Sequence, residues 1–514
     1  SPRFMVKAGQ QLHKIPYEHE WMEDLEKVSL MDNDIKEIPQ GTSPRCPTLS
    51  TLLLSSNPFL TKIPCSFFVH MCALRVLDLS WTRILQLPES ISDLESLTAL
   101  FLNNCYQLKY VPPMGNLRAL QVLNLSNTNI EEVPQGMEML VNLNCLYMEG
   151  IKNLKMLPTG ILPRLSHLQV LRLDRATVRG EEVEELKLLE EFRGQLYDLC
   201  DFNRFVKCQC YRRLRIYHLI LDISDSASFV VNNEYEKEVS IQNCSLKRGG
   251  EEDKVLLPHD IQKLFIYKCD DVSSLCDVSP SLNNARDLKK CEIWCCNGIE
   301  CILPLSFSNA IEVEEDLGEE SRCIPLQSLE ILILDSLDNL SALVKWGRRD
   351  GERVIAPGTF SNLKDLDITV CHKIKKLFPP RLVEHLQNLE SIYVWNCEEM
   401  EEIIAAEDEN KATTTIFTLP KLKELHLSCM PKLKSICEGV MACDSIEEII
   451  LRKCPQLKRL PLSLPLVNGQ PSPPHALRSI LTERITWESL DWDHPNAKNV
   501  LQPLVTYSYY DGPE

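Results

Sequence analysis

Residues 74–104 read LRVLDLSWTRILQLPESISDLESLTALFLNN. Leucines stand at 74, 77 and 79 and return at 97, 100 and 102. The frame L-x-x-L-x-L recurs at Leu120, Leu123, Leu125, at Leu143, Leu146, Met148, and at Leu168, Leu171, Leu173, so that successive frames begin 23, 23, 23 and 25 residues apart. Each turn of the pattern also holds an apolar residue followed by proline: Ile38-Pro39, Ile63-Pro64, Leu87-Pro88, Val111-Pro112, Val133-Pro134 and Leu157-Pro158. In x-L-x-L-x the strand period of two sends the leucines inward and their neighbours outward. Proline then ends the path, because it lacks an N–H and disfavours helix in the residue before it. The return segment 89–96 brings Ile91 and Leu94 back beneath the strand. A unit this short cannot bury its own apolar side. Each buried aliphatic side chain contributes ~1.5–3 kcal/mol, enough to offset the ordering entropy only when neighbouring units stack.

This is the leucine-rich repeat. It predicts an α/β solenoid, a horseshoe with a parallel β-sheet on its concave face and irregular or short helical segments on its convex side. Further along, the frame predicts strands at Leu214–Leu219, Val239–Ile241, Leu264–Ile266, Cys291–Ile293, Leu329–Leu334, Leu366–Ile368, Ile392–Val394, Leu425–Leu427 and Ile449–Leu451. Between them, residues 180–212 read as a helical return followed by a strand around Leu196. Just past the last strand residue such repeats need a small, buried side chain that can hydrogen-bond the turn. Asn33 and Asn57 fill that place early, and Cys105, Cys244, Cys269, Cys296, Cys371, Cys397 and Cys454 later. Free Cys serves there as a small apolar group with a weak donor. The acidic stretch 312–320, the polar stretch 345–358 with Arg348, Arg349 and Arg353, the acidic 398–414 and the proline-bearing 461–474 read as loops between strands. The organisation expected is a junction at 1–24, regular repeats at 25–175, irregular repeats at 176–260, further repeats with loop insertions at 261–462, and a Pro-rich loop with a closing cap at 463–514.

The rest of the sequence excludes more than it adds. The 514 residues carry 55 Lys and Arg against 73 Asp and Glu, a net charge of −18, which argues against a nucleic-acid binder. Hydrophobic residues make up 44%, which excludes general disorder, and no apolar run approaches the ~18 residues of a membrane span. The opening SPRFMVKAGQ has neither an initiator Met nor a signal sequence and reads as the start of a fragment of an intracellular, cytoplasmic protein. None of the 22 cysteines forms a C-x-x-C pair, and thiols rather than disulfides or zinc sites are expected. No phosphate-binding, metalloprotease, nucleophile-elbow or dinucleotide motif occurs, so neither catalytic residues nor a cofactor is expected in this chain.

The outward strand positions are the expected binding surface. They place Phe101, Tyr147, Phe265, Tyr267, Trp294, Tyr393 and Trp395 on the concave face, with Arg172, Asp174, Glu292, Asp365, Asp367, Glu424 and Arg452 as a polar rim. Aromatic side chains bury large areas with few rotors to freeze, which suits a protein interface.

The two ends of the chain carry a resemblance. Val6-Lys7-Ala8-Gly9, Trp21, Val28-Ser29-Leu30-Met31, Asn33 and Ile35 resemble the junction between nucleotide-binding module and repeats in plant coiled-coil NLR disease-resistance proteins. Trp487 with Glu488-Ser489-Leu490-Asp491-Trp492-Asp493 is similar to that family's closing segment. The resemblance implies the sensor and autoinhibitory region of an intracellular immune receptor. Such a region perceives a pathogen effector or a host protein the effector has modified, and it controls an ADP/ATP switch in an upstream module. It further implies that the repeats contact their own nucleotide-binding module, for which Arg172 and Asp174 are the candidate residues. The other reading is a stand-alone intracellular scaffold that assembles signalling proteins.

Overall fold

The computed structural model describes residues 3–222, 235–246, 254–279, 282, 285–304, 326–345, 347–349, 352–354, 358–405, 415–467, 469–492 and 494–508. The chain divides into two compact units, the division falling between Leu221 and Lys237. In the first unit ten strands lie side by side in parallel: β1 (Phe4–Val6), β2 (Lys27–Ser29), β3 (Thr51–Leu53), β4 (Val76–Asp78), β5 (Ala99–Phe101), β6 (Val122–Asn124), β7 (Cys145–Met148), β8 (Val170–Val178), β9 (Glu191–Leu196) and β10 (Ile216–Asp222). The register follows the leucine frame. Leu52, Leu77, Leu100, Leu123, Leu146 and Leu171 are direct neighbours across six strands, and all six are fully buried.

The second unit repeats the plan with β11 (Lys237–Gln242), β12 (Lys263–Tyr267), β13 (Lys290–Trp294), β14 (Ile331–Asp335), β15 (Asp365–Thr369), β16 (Ser391–Trp395), β17 (Glu424–Ser428), β18 (Glu448–Arg452), β19 (Ser479–Thr482) and β20 (Val505–Tyr507), again parallel throughout. Short parallel pairs run through the return segments, such as Lys376–Phe378 with Glu402–Ile404 and Ile416–Thr418 with Val440–Ala442. A leucine-rich repeat solenoid with a parallel sheet is therefore the fold of the chain.

Two expected strands are displaced. The strand expected from Leu214 begins at Ile216, because a 3-10 turn over Cys210–Arg213 runs up to Leu214. The strand expected from Leu329 begins at Ile331, since the Leu329 amide closes a turn on the Leu326 carbonyl. The irregular stretch near 180–212 holds α1 (Gly180–Glu185), then β9, then α2 (Leu199–Lys207), a second helix beyond the one expected. Asp198 caps α2 by accepting from the Asp201 amide at 2.8 Å, while Phe202, Phe205 and Val206 bury its inner face. The polar stretch expected as a loop around Arg348 contains an antiparallel hairpin, Gly347–Arg349 with Glu352–Val354. The acidic stretch 312–320 lies outside the described residues, as does 406–414 within the acidic 398–414.

A hydrogen-bonding ladder turn recurs after many strands of both units, while Leu337 and Met430 hold the same buried place after β14 and β17. Asn33, Asn57 and all seven ladder cysteines are buried. Asn57 Nδ2 donates to the Leu30 and Leu54 carbonyls at 2.9 and 2.8 Å, and its Oδ1 accepts from the Ile35 amide at 3.2 Å. The cysteines repeat one of these bonds in weaker form. Cys105 Sγ donates to Leu79 O at 3.1 Å, Cys454 to Leu427 O at 3.7 Å and Cys397 to Ile368 O at 3.9 Å. Burial pushes the thiols of Cys397 and Cys454 up to about 12, which keeps them protonated donors. Thr82 and Thr128, not foreseen as ladder residues, hold the same place and donate to Leu79 O and Leu125 O, each at 2.8 Å. The residue just before each ladder position is left-handed. Asp32, Ser56, Trp81, Asn104, Asn127, Asn243, Lys268, Cys295, Val370, Asn396 and Lys453 all have φ between +49° and +63°.

Trp21 is buried near the start of the first sheet, its ring edge-on to Phe67 at 5.9 Å, and its Nε1 donates to Pro16 O at 3.2 Å. In the second unit Trp487 is fully buried, packs against Trp492 at 5.0 Å and donates to Gln502 Oε1 at 2.9 Å.

Candidate binding surface

The sheet face turned away from the core differs between the two units. In the first, one outward column runs Asp78, Phe101, Asn124, Tyr147, Arg172, Arg193, His218, half-buried along its length and closing at the buried His218. Phe101 and Tyr147 are half-buried in it. Arg172 is held rather than free. Its Nε donates to Glu191 Oε1 at 2.7 Å, the same oxygen takes a second bond from Arg193 Nε at 2.9 Å, and the Arg172 guanidinium lies 5.4 Å from the Tyr147 ring centre. Beside this group stand Glu149 and Asp174. Burial pushes both carboxyls above the usual carboxylate range, against the pull of Arg172 and Arg193 on Glu149 and of Arg175 on Asp174. Arg172 and Asp174 are thus neighbours in one partly desolvated charge cluster.

In the second unit the open face changes along the sheet. Over β11 to β13 it is buried, with Glu238, Ser240, Lys263, Lys290 and Glu292 all below a tenth exposed. Lys290 Nζ pairs with Glu292 Oε1 at 2.9 Å, and Lys263 Nζ stands 3.7 Å from the other oxygen of Glu292. Phe265, expected to face water, is only 2% exposed. It is stacked against Tyr267 at 6.3 Å and meets Trp294 edge-on at 5.5 Å, so the three rings cover one another. The exposed-column reading therefore fails at Phe265 and at Glu292, and Tyr267 and Trp294 are half-buried. Outward strand position alone did not report this, because adjacent large side chains in neighbouring repeats shield each other.

From β14 to β18 the same face opens. Tyr393 and Trp395, two residues apart on β16, are each 38% exposed. Tyr393 has Asp367 on one side and His426 on the other, the His426 ring edge-on at 6.0 Å. His426 Nε2 lies 3.2 Å from Glu448 Oε2. Trp395 lies between Thr369 and Ser428 in register. Asp335, Asp365 and Asp367 accept from the hydroxyls of Ser336, Ser391 and Thr369 at 2.6, 2.8 and 3.0 Å. Burial and the charge of Asp335 hold the Asp367 carboxyl above the usual range.

Two features had no signal in the repeat frame. A cleft of about 570 Å³ in the first unit is lined by Leu12, His13, Ile15, Pro16, Trp21 and Pro44 among others. Trp81 and Tyr106, 6.3 Å apart, are both more than half exposed beyond the strand ends. Among the described residues no group of three His, Cys, Asp or Glu is placed to hold a metal ion, every cysteine is unbridged, and no helix is long and apolar enough to cross a membrane.

Residues 348–464 match the sequence profile described as plant disease resistance protein RPS2-like, leucine-rich repeats, and residues 47–106 match a leucine-rich repeat profile. Over 94% of its length the chain is 32% identical to the probable disease resistance protein At4g27220 of Arabidopsis thaliana, covering 50% of that protein. It is 27% identical to the disease resistance protein At4g27190 of the same plant, over 93% of this chain and 47% of the relative. Disease resistance protein RPS5, also of Arabidopsis thaliana, is 26% identical over 89% of this chain and 39% of its own length. The chain thus spans about half or less of the curated relatives it matches. With the ladder, the parallel sheets and these relatives together, the chain is a leucine-rich repeat region similar over nearly its whole length to plant disease-resistance proteins.

Proposed function

We propose that this region is the sensor and autoinhibitory part of an intracellular, cytoplasmic immune receptor. In this reading it recognises a pathogen effector, or a host protein altered by one, and holds an ADP/ATP switch off until it does so. The nucleotide would belong to a module outside this chain, and the region itself would act by binding alone. What carries the reading is the open, aromatic face around Tyr393 and Trp395 in a chain whose relatives are disease-resistance proteins. Trp and Tyr dominate interface hot spots, and a ligand that binds one of two receptor states better shifts the balance toward it.

The repeats of 25–175 would supply the internal contact to the receptor's own nucleotide-binding module, and those of 261–462 the recognition surface. Arg172 and Asp174 are the candidates for the first role, Tyr393 and Trp395 for the second. Phe101 and Tyr147, half-buried, and Tyr267 and Trp294, packed on Phe265, remain secondary candidates. The test is a full-length receptor carrying this region, expressed in leaf tissue and scored for cell death with and without its elicitor. Arg172→Glu or Asp174→Lys should signal without elicitor, and Trp395→Ala should stay silent with it. A silent charge-reversal variant together with a constitutively active Trp395→Ala would refute the division of labour.

A further inference from the structure

The open face of β14 to β18 carries more than aromatic area. Five carboxylates point out of it, Asp335, Asp365, Asp367, Glu424 and Glu448, against the single guanidinium of Arg452. Among the described residues none of the first four pairs with a lysine or arginine. The nearby Lys364 and Lys423 are committed to Glu330 and Glu390. The hydrogen bonds of the three aspartates come from hydroxyls, which orient a carboxylate without cancelling its charge. Asp367 is the register neighbour of Tyr393, and Asp335 sits two strands from Trp395 in the adjoining column. With strands ~4.8 Å apart, both carboxylates lie within ~10 Å of the aromatic pair, the reach of one long cationic side chain.

We propose that this face docks a basic protein segment, with an arginine or lysine laid over Tyr393 and Trp395 and its charge shared by Asp367 and Asp335. The inference rests on the recognition reading above and adds the chemistry of the partner. Ring faces attract cations, and a guanidinium can stack on an indole while donating in its plane to carboxylates. Docking would relieve the repulsion between Asp335 and Asp367 that no residue in the described chain relieves. An acidic segment would add like charge to a face already carrying a surplus of it.

The test titrates the 514-residue chain, by calorimetry at 50 and 200 mM salt, with a nonapeptide alternating arginine and glycine and with its glutamate counterpart. The arginine peptide should bind and the glutamate peptide should not. Trp395→Ala and the near-isosteric double variant Asp335→Asn/Asp367→Asn should each weaken binding at least tenfold. The control Glu131→Gln/Glu132→Gln, which neutralises two exposed acids of the first unit, should change it less than twofold. Equal loss in the control would mean general attraction to a chain of net charge −18 and would overturn the proposal, as would undiminished binding by the Asn variant. A tenfold gain on replacing Arg348, Arg349 and Arg353 by Gln would give the face to the chain's own hairpin, and that too would overturn it. In the cell-death assay the two readings separate. Loss with Trp395→Ala but full response with Asp335→Asn/Asp367→Asn keeps the recognition surface and removes the basic partner, whereas full response from both removes the surface itself.

Discussion

Asn57 is the most demanding test of how the first unit is held together. Its side chain is fully buried and serves four backbone groups at once: the amide of Ile35 and the carbonyls of Leu30, Leu54 and Ser55. In Asn57→Ala the Ile35 amide and the Leu54 carbonyl lose their partner in a dry interior, while Leu30 O keeps its bond from Asn33 Nδ2 at 3.1 Å and Ser55 O its bond from the Asp32 amide at 3.0 Å. A buried polar group left unpaired costs about 1–3 kcal/mol, and the carbonyls, with two lone pairs each, sit at the low end of that range. The expected loss is therefore about 2–4 kcal/mol. Asn57→Cys keeps a weak donor toward the carbonyls, as Cys105 and Cys454 do in their own repeats, and orphans only the Ile35 amide. Its cost should be about 1–2 kcal/mol. Solenoids open locally, so the assay is native-state hydrogen exchange of peptides covering residues 30–60, not a single global midpoint. At ~1.4 kcal/mol per tenfold, the Ala variant should exchange there at least about twentyfold faster than wild type, and the Cys variant about tenfold faster or less. Exchange changed less than tenfold in Asn57→Ala, or equal in the two variants, would show that the ladder side chain is only a space filler.

Val370 adopts φ +51° at the position where the repeats around it use Asn396 and Lys453, and a β-branched residue there is strained. Val370→Asn should raise the thermal midpoint through a gain of about 1 kcal/mol, and Asn396→Val should lower it by a similar amount. A Cβ on Gly298 would stand 1.9 Å from the Asp270 carbonyl oxygen, so Gly298→Ala should cost about 2 kcal/mol or more, read by denaturant unfolding of the second unit. The Glu149 and Asp174 carboxyls titrate above their unfolded values. The folded state then binds protons more tightly than the unfolded one, so their ionisation opposes folding at pH 7 and this penalty fades as pH falls through the raised folded values. Glu149→Gln should therefore raise the melting temperature at pH 7, with the advantage shrinking on acidification; a constant offset across pH would contradict the assignment.

The architecture of this protein follows from its leucine periodicity. A leucine frame returning every 23 residues admits one economical solution, parallel strands stacked so that each unit buries its neighbour's apolar edge. The ladder cysteines and asparagines were legible for the same reason, since one coil position is always buried and always faces an open carbonyl. Thr82 and Thr128 escaped notice because threonine is common on surfaces and only register placed them in the ladder. The second helix at 199–207 was missed where the leucine frame lapses and local capping by Asp198 takes over. Which outward residues remain available depends instead on packing between repeats. Strand period two marks Phe265 and Tyr393 as equivalent. Phe265 is closed over by Tyr267 and Trp294 on its own and the next strand, while Tyr393 has the smaller Asp367 and the edge-on His426 as neighbours and stays open. Exposure is a property of side chains brought together across repeats some 25 residues apart. Ionisation follows the same logic, because Arg172, Glu191 and Arg193 become one charge cluster only when β8 lies against β9.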